Sequence, residues 1–372
     1  MALKLADFGA RGLADAIKRP RLSVCRFRPS PPRVADMDNS AKAAEDESER
    51  LPMAFWALKS CREVFLSIYG EGLLTAQPGS AAARDFAATE VGPAGEWPAE
   101  FNQLPRYLSA KLVRQQADLC AGAALLIEAG EVSEPLHSVL RTGFEFAIRA
   151  FWVLDPSVSH RERCARAALA EVVSTEMTRR AASKLPDTPE PRVTRIKFRA
   201  NAKAQKERLR KLFASVEGAP DGDPLKWTIE GTRYSTWTDA ADRWTDAEKT
   251  GVSGGAMYDQ LSILAHPQGY AATVGLIQDP EDGTRFTRVI DPVRVTKVAR
   301  LGAQSFYSSV TLLTNYHGFK SKHVAAWEEE LGQHFLGSSV HKRSAAEFAR
   351  TIDQRPSASI MGDPNIAADR RT

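Results

Sequence analysis

At 372 residues, 43% of them hydrophobic, the chain is long enough to bury a large core in one domain or two. Glu128 and Arg149 interrupt the best apolar runs before any reaches about 18 residues, and Asp7, Arg11 and Asp15 break the stretch where a secretory signal would lie. Neither a spanning helix nor a secretory signal is therefore expected, and the expected location is cytoplasmic with no membrane partner. The net charge of +4 is concentrated at the start: residues 1–36 carry eight bases against three acids, which leaves −1 for the rest, so the main body lacks a broad nucleic-acid footprint.

Residues 1–50 read as a disordered basic and charged extension, because RPSPPR is rich in breakers and AKAAEDESER is almost free of large apolar groups. Met37 is an alternative start. Residues 51–336 read as one helical bundle, and 337–372 as a tail with a short helix at 344–352. Pro52 opens the first core helix, with Phe55, Leu58, Phe65, Ile68 and Tyr69 at helical spacing and Gly70 and Gly72 at its end. Gln77–Pro98 is rich in Gly, Pro and Ala and reads as a loop. Pro105–Ala129 forms a second long helix, stopped by Gly130.

The next helix, Glu134–Leu154, organises the rest. Leu136, Val139, Leu140, Phe144, Phe146, Ala147, Ile148, Phe151, Val153 and Leu154 cover more than half its circumference, which requires burial on most sides. The remaining strip carries Arg141, Glu145 and Arg149, one acid between two bases at four-residue steps, with Trp152 at its end. Asp155-Pro156 forbids continuation.

Ser159 and Glu162 form a capping box that starts a helix to about Leu185. After the breaker PDTPEP, residues 192–211 hold nine bases and one acid, the densest charge in the chain. Arg199, Lys203, Lys206 and Arg210 are the nucleic-acid candidates there, although aromatic rings for base stacking are scarce. Residues 218–237 read as an irregular, aromatic-bearing lid. Thr238 then caps a short helix to about Lys249, and Gly251–Gly255 breaks it. In AMYDQLSILAHPQGY, Tyr258, Ser262 and His266 again stand four apart beside an apolar face. Two β-branched runs around DPEDG predict a hairpin at 273–290. Pro292 opens a long helix to Gly318, and 320–335 gives a last amphipathic one. The expectation is a mainly α fold, a bundle of about seven or eight helices with one late β-hairpin.

No phosphate loop, dinucleotide fingerprint, H-E-x-x-H or nucleophile elbow occurs. The cysteines Cys25, Cys61, Cys120 and Cys164 lie far apart without metal-ligand spacing, so no metal and no cofactor are expected. His317 and His323, six apart, do not share a helical face. Arg141-x-x-x-Glu145-x-x-x-Arg149 before the W-x-L-D-P end, with the later Tyr258, Ser262 and His266, resembles bacterial helical-bundle proteins related to the HEPN-like group, over roughly 105–318. The resemblance implies an all-helical bundle and, in many members, a metal-independent RNase of stress or defence. Those nucleases carry Arg four to six residues before His, and none of the seven histidines here has it.

From the residues themselves, His266 and Glu145 are the catalytic candidates, and Arg141, Glu145, Arg149, Tyr258, Ser262 and His266 the ligand-binding set. Three functions are carried forward. The first is a non-catalytic or degenerate HEPN-like regulatory protein that binds a protein partner, a second copy or a small ligand. The others are an RNA-binding protein or RNase using 192–211, and a small-molecule enzyme at the Arg/Glu/His cluster. Packing of the Tyr258–His266 helix across the central one is the geometric expectation.

Overall fold

The structure, a computed structural model, describes residues 37–130, 134–186, 188–218, 223–248, 253–265, 276–278, 286–288 and 292–334. The chain divides into two units, Met1–Ala43 and Ala44–Thr372. Of the first, residues 37–43 are described, as helix; the core and all the sites belong to the second.

Among the described residues the protein is mainly helical, with eleven α-helices. In order these are α1 (Met37–Gly70), α2 (Ala81–Ala87), α3 (Ala99–Asn102), α4 (Leu104–Glu128), α5 (Glu134–Leu154), α6 (His160–Ser183) and α7 (Pro189–Leu212), then α8 (Trp237–Glu248), α9 (Gly254–Ala265), α10 (Pro292–His317) and α11 (Lys322–His334). Seven short strands make three small antiparallel sheets: β1 (Val91–Gly92) with β2 (Gly95–Glu96), β3 (Val216–Glu217) with β4 (Thr228–Ile229) and β5 (Thr232–Arg233), and β6 (Leu276–Gln278) with β7 (Phe286–Arg288). No described helix is long and apolar enough to cross a membrane.

Helix α5 joins two apolar cores. Its Leu136, Leu140, Phe144, Ile148 and Phe151 pack with α1, α4, α8, α9, α10 and α11 in the larger core. Its Trp152 and Val153 belong to the smaller one, with α6, the end of α7, Trp97, Phe101, Phe213 and Trp227. This is why a sequence apolar on most sides forms α5: it has a partner in nearly every direction. Close approach needs small residues at one crossing, where a Cβ on Gly302 of α10 would come within 2.7 Å of Leu140 Cδ2 and 3.1 Å of Leu58 Cδ2.

The central helix, the capped start of α6 and the long α10 stand where the sequence places them. Ser159 Oγ accepts from Glu162 N at 3.2 Å. Several expectations are corrected. There are more helices than seven or eight, and the late hairpin, whose strands pair Ile277 with Thr287, is one of three small sheets. Pro52 lies inside α1 rather than at its start, because the Ala- and Glu-rich run before it is itself helical. The expected loop at 77–98 contains α2, capped by Ser80 Oγ on Ala83 N at 3.1 Å, and the β1–β2 hairpin. The cap of α8 is Thr236, whose hydroxyl accepts from Asp239 N at 3.1 Å, not Thr238. The 218–237 connection carries a 3-10 turn and two strands. The proposed helix at 344–352, the tail and His266 lie outside the described residues, as does residues 1–36 of the extension.

Candidate functional site

Two polar clusters on α5 come from the ladder that the sequence marks. At the first, α9 packs on α5 and brings Tyr258 over Arg141 and Glu145. Arg141 Nη2 donates to the Tyr258 hydroxyl at 2.8 Å, and that hydroxyl donates to Glu145 Oε1 at 3.0 Å. Arg141 and Glu145 are also ion-paired at 3.1 Å, both about one-fifth exposed. The three groups are joined pairwise in a triangle, and burial raises the Tyr258 phenol above its ordinary value. Ser262, the next rung of α9, is half-buried, and its hydroxyl has no hydrogen-bond partner among the described residues.

Arg149, the third rung, stands apart from that triangle. It is 3% exposed, and its guanidinium is stacked against three rings, with centroids at 4.0 Å for Tyr234, 4.5 Å for Trp237 and 4.8 Å for Trp152. Its Nη2 donates to the Ser235 carbonyl at 3.1 Å, while Nε and Nη1 have no acceptor in hydrogen-bond geometry among the described residues. Burial pushes its pKa down to about 10, against the help of Tyr234 and Glu145. Aromatic faces here replace most of the water that a buried cation loses. The 218–237 connection is thus a cover over Arg149, supplied by Tyr234, Ser235 and Trp237.

Away from the ladder, a separate cluster joins the α5–α6 corner to α2 and α10. Arg163 and Asp85 form a buried two-pronged pair at 2.6 and 2.9 Å, and the Tyr316 hydroxyl donates to Asp85 Oδ2 at 2.8 Å. A cavity of about 190 Å³ opens beside them, also lined by Arg84, Ser159 and His160. His160 Nδ1 lies 3.2 Å from Glu90 Oε1 and Nε2 lies 3.3 Å from Cys164 Sγ. Carboxylate, imidazole and thiol in that order would activate a nucleophile. The thiol, however, is fully buried, and burial, then the charge of Asp85, raises its pKa well above the ordinary range. Cys164 is an inert core residue. The i, i+4 spacing of His160 and Cys164 is visible in sequence; Glu90, seventy residues away by chain, is not.

The third feature is an arm made of α6 and α7. Beyond Val173, only Glu176 and Ala182 of α6 are buried, and before Lys203 only Ala202 of α7 is, so the outer halves pair mainly with each other. Arg192, Arg195, Arg199, Lys203, Lys206 and Arg210 recur at three- and four-residue steps on one flank, a stripe about 27 Å long. Its candidates meet Arg179 of α6 around a groove of about 320 Å³, lined also by Ala202 and Glu207. Arg179 is missing from the sequence-derived set. So is Glu176, 3% exposed, which pairs with Arg179 at 2.9 Å and with Lys206 at 2.5 Å. Burial works to raise the Glu176 carboxyl, but those two bases outweigh it and hold it below its ordinary value. Lys206 also sits 4.9 Å from the centre of the Trp227 ring. The remaining aromatics offer no stacking surface: Phe198 is half-buried and Phe213 is buried.

No group of three or more His, Cys, Asp or Glu side chains that could hold a metal is found among the described residues. His317 and His323 are separated in role, the first buried and the second paired with Glu71 at 3.2 Å. Comparison with protein-family models, with curated proteins and with solved structures found no match.

Proposed function

We propose that this protein is a non-catalytic binding protein, a degenerate member of the HEPN-like kind, that holds RNA by its phosphates along the α6–α7 arm. The observation that carries this reading is the stripe of six bases on one flank of a projecting helix, with Arg192, Arg199, Lys203 and Arg210 exposed. One helical turn between bases, about 5.4 Å, suits a run of phosphates, and the lack of exposed rings argues for sequence-independent contact. The HEPN-like ancestry rests on the two polar stretches of α5 and α9 and points to RNA among polyanions. Against catalysis stand the Arg141–Tyr258–Glu145 triangle, which leaves Glu145 occupied, and the inert Cys164.

Contact with four to six phosphates makes affinity fall with salt at a log–log slope of about −3 to −4 on single strands. Fluorescence polarisation of a labelled RNA titrated from 50 to 300 mM KCl measures it, with a DNA strand and anionic vesicles as parallel probes. Replacing the exposed Arg199, Lys203 and Arg210 together by Glu should abolish binding and leave the thermal midpoint unchanged. The arm also exposes Leu185, Val193 and Ile196. Capture by vesicles with no RNA binding would move the arm to a membrane surface and overturn the proposal, as would a flat salt response.

A further inference from the structure

Resting on that reading of the arm, we infer that the groove between α6 and α7, which closes around the Arg199–Arg210 part of the stripe, takes the multiply charged 5′ phosphate end of an RNA that carries one, while internal phosphates lie along the stripe. A strand tracking one helix face needs no concavity, yet Arg179 of α6 faces Arg199, Lys203, Lys206 and Arg210 of α7 across one groove. Five bases with Glu176 and Glu207 leave +3 in about 320 Å³, room for about two linked phosphate groups at roughly 30 Å³ per water-sized atom, with a third reaching out of its open side. An internal phosphodiester brings a single charge and cannot match that density; a terminal di- or triphosphate can. The groove is also built rather than incidental. Buried Glu176 fixes Arg179 and Lys206 on opposite helices, and the Lys206 ammonium also lies over the Trp227 ring, so two of the five bases are oriented before a ligand arrives. No aromatic side chain lines the groove, so it offers a nucleobase no ring to stack on, whereas its basic side chains suit phosphate.

The test is polarisation with three RNAs of one sequence, labelled at the 3′ end and carrying a 5′ hydroxyl, monophosphate or triphosphate. The triphosphate form should bind about tenfold more tightly than the hydroxyl form, with the monophosphate between. Inorganic tripolyphosphate should displace it before it displaces the hydroxyl form. Arg179→Gln, at the groove base that lies outside the stripe, should erase the difference while binding of the hydroxyl form persists; Lys197→Gln, outside the groove, should keep it. Equal affinity for the three ends overturns the inference and leaves RNA binding standing. Absence of binding to any of them at low salt overturns both, and a preference that survives Arg179→Gln overturns the inference by assigning the end to another site.

Discussion

His317 carries the clearest pH signature at the scale of a single residue. It is fully buried, its ring nitrogens have no hydrogen-bond partner among the described residues, and burial, helped by the charge of Arg106, lowers its pKa to about 4. The unfolded chain, with imidazole near 6.5, takes up the proton first. Stability is therefore full above pH 6.5, falls as pH drops towards 4 and levels off below, a loss of about 3 kcal/mol from this group. Denaturant melts of wild type and His317→Phe across pH 4 to 7 measure it: the difference between them should narrow with acid, and parallel curves would exclude the assignment. Arg149 makes a complementary case. Its cation is tolerated through three rings, so Arg149→Met, which keeps the volume and drops the charge, should cost less than about 1 kcal/mol or stabilise. Trp237→Ala, which uncovers the cation and leaves a cavity, should cost about 3 kcal/mol. The reverse order in thermal melts would mean that the guanidinium holds the cover down.

Among the elements, the long helices were legible because their apolar positions recur over five or more turns and their ends carry Ser159 or a proline. The two-residue strands were not, since β1 to β5 consist of Gly, Val, Thr, Glu, Ile and Arg held by contacts distant in sequence, such as Trp97 Nε1 donating to Leu212 O at 2.6 Å. The four-residue rhythm of α5 and α9 marked Arg141, Glu145 and Tyr258, which do meet. It could not reveal that Arg149 leaves the ladder for an aromatic cage, because Tyr234 and Trp237 arrive from some 85 residues on. The groove was half legible: the bases of α7 stand in one run, whereas Glu176 and Arg179 are a plain i, i+3 pair until α7 folds back on them. At the crossing of α5 and α10, Gly302→Leu should overpack Leu140 and Leu58 and lower stability by about 1–3 kcal/mol in urea melts, while Gly122→Ala, with open space around its Cβ, should be neutral or stabilising.

For the whole molecule, the division of labour is between a body in which acids and bases are joined in ion pairs and an arm in which bases outnumber acids. Arg141, Glu145, Asp85, Arg163 and Arg166 all have partners inside the body; Arg163 with Asp85 ties α6 to α2, and Arg166 with Asp155 ties α6 to the end of α5. The bases of α7 outnumber its acids, and Arg192, Arg199, Lys203 and Arg210 are exposed. Such a distribution suits a rigid base that presents a cationic limb, and it places recognition on the limb. The salt dependence of RNA binding by the full chain, with and without Glu at positions 199, 203 and 210, tests this most directly. The account predicts a log–log slope of about −3 to −4 that collapses in the triple variant at unchanged thermal midpoint. A slope near zero, or a triple variant that binds as the wild type does, would contradict it.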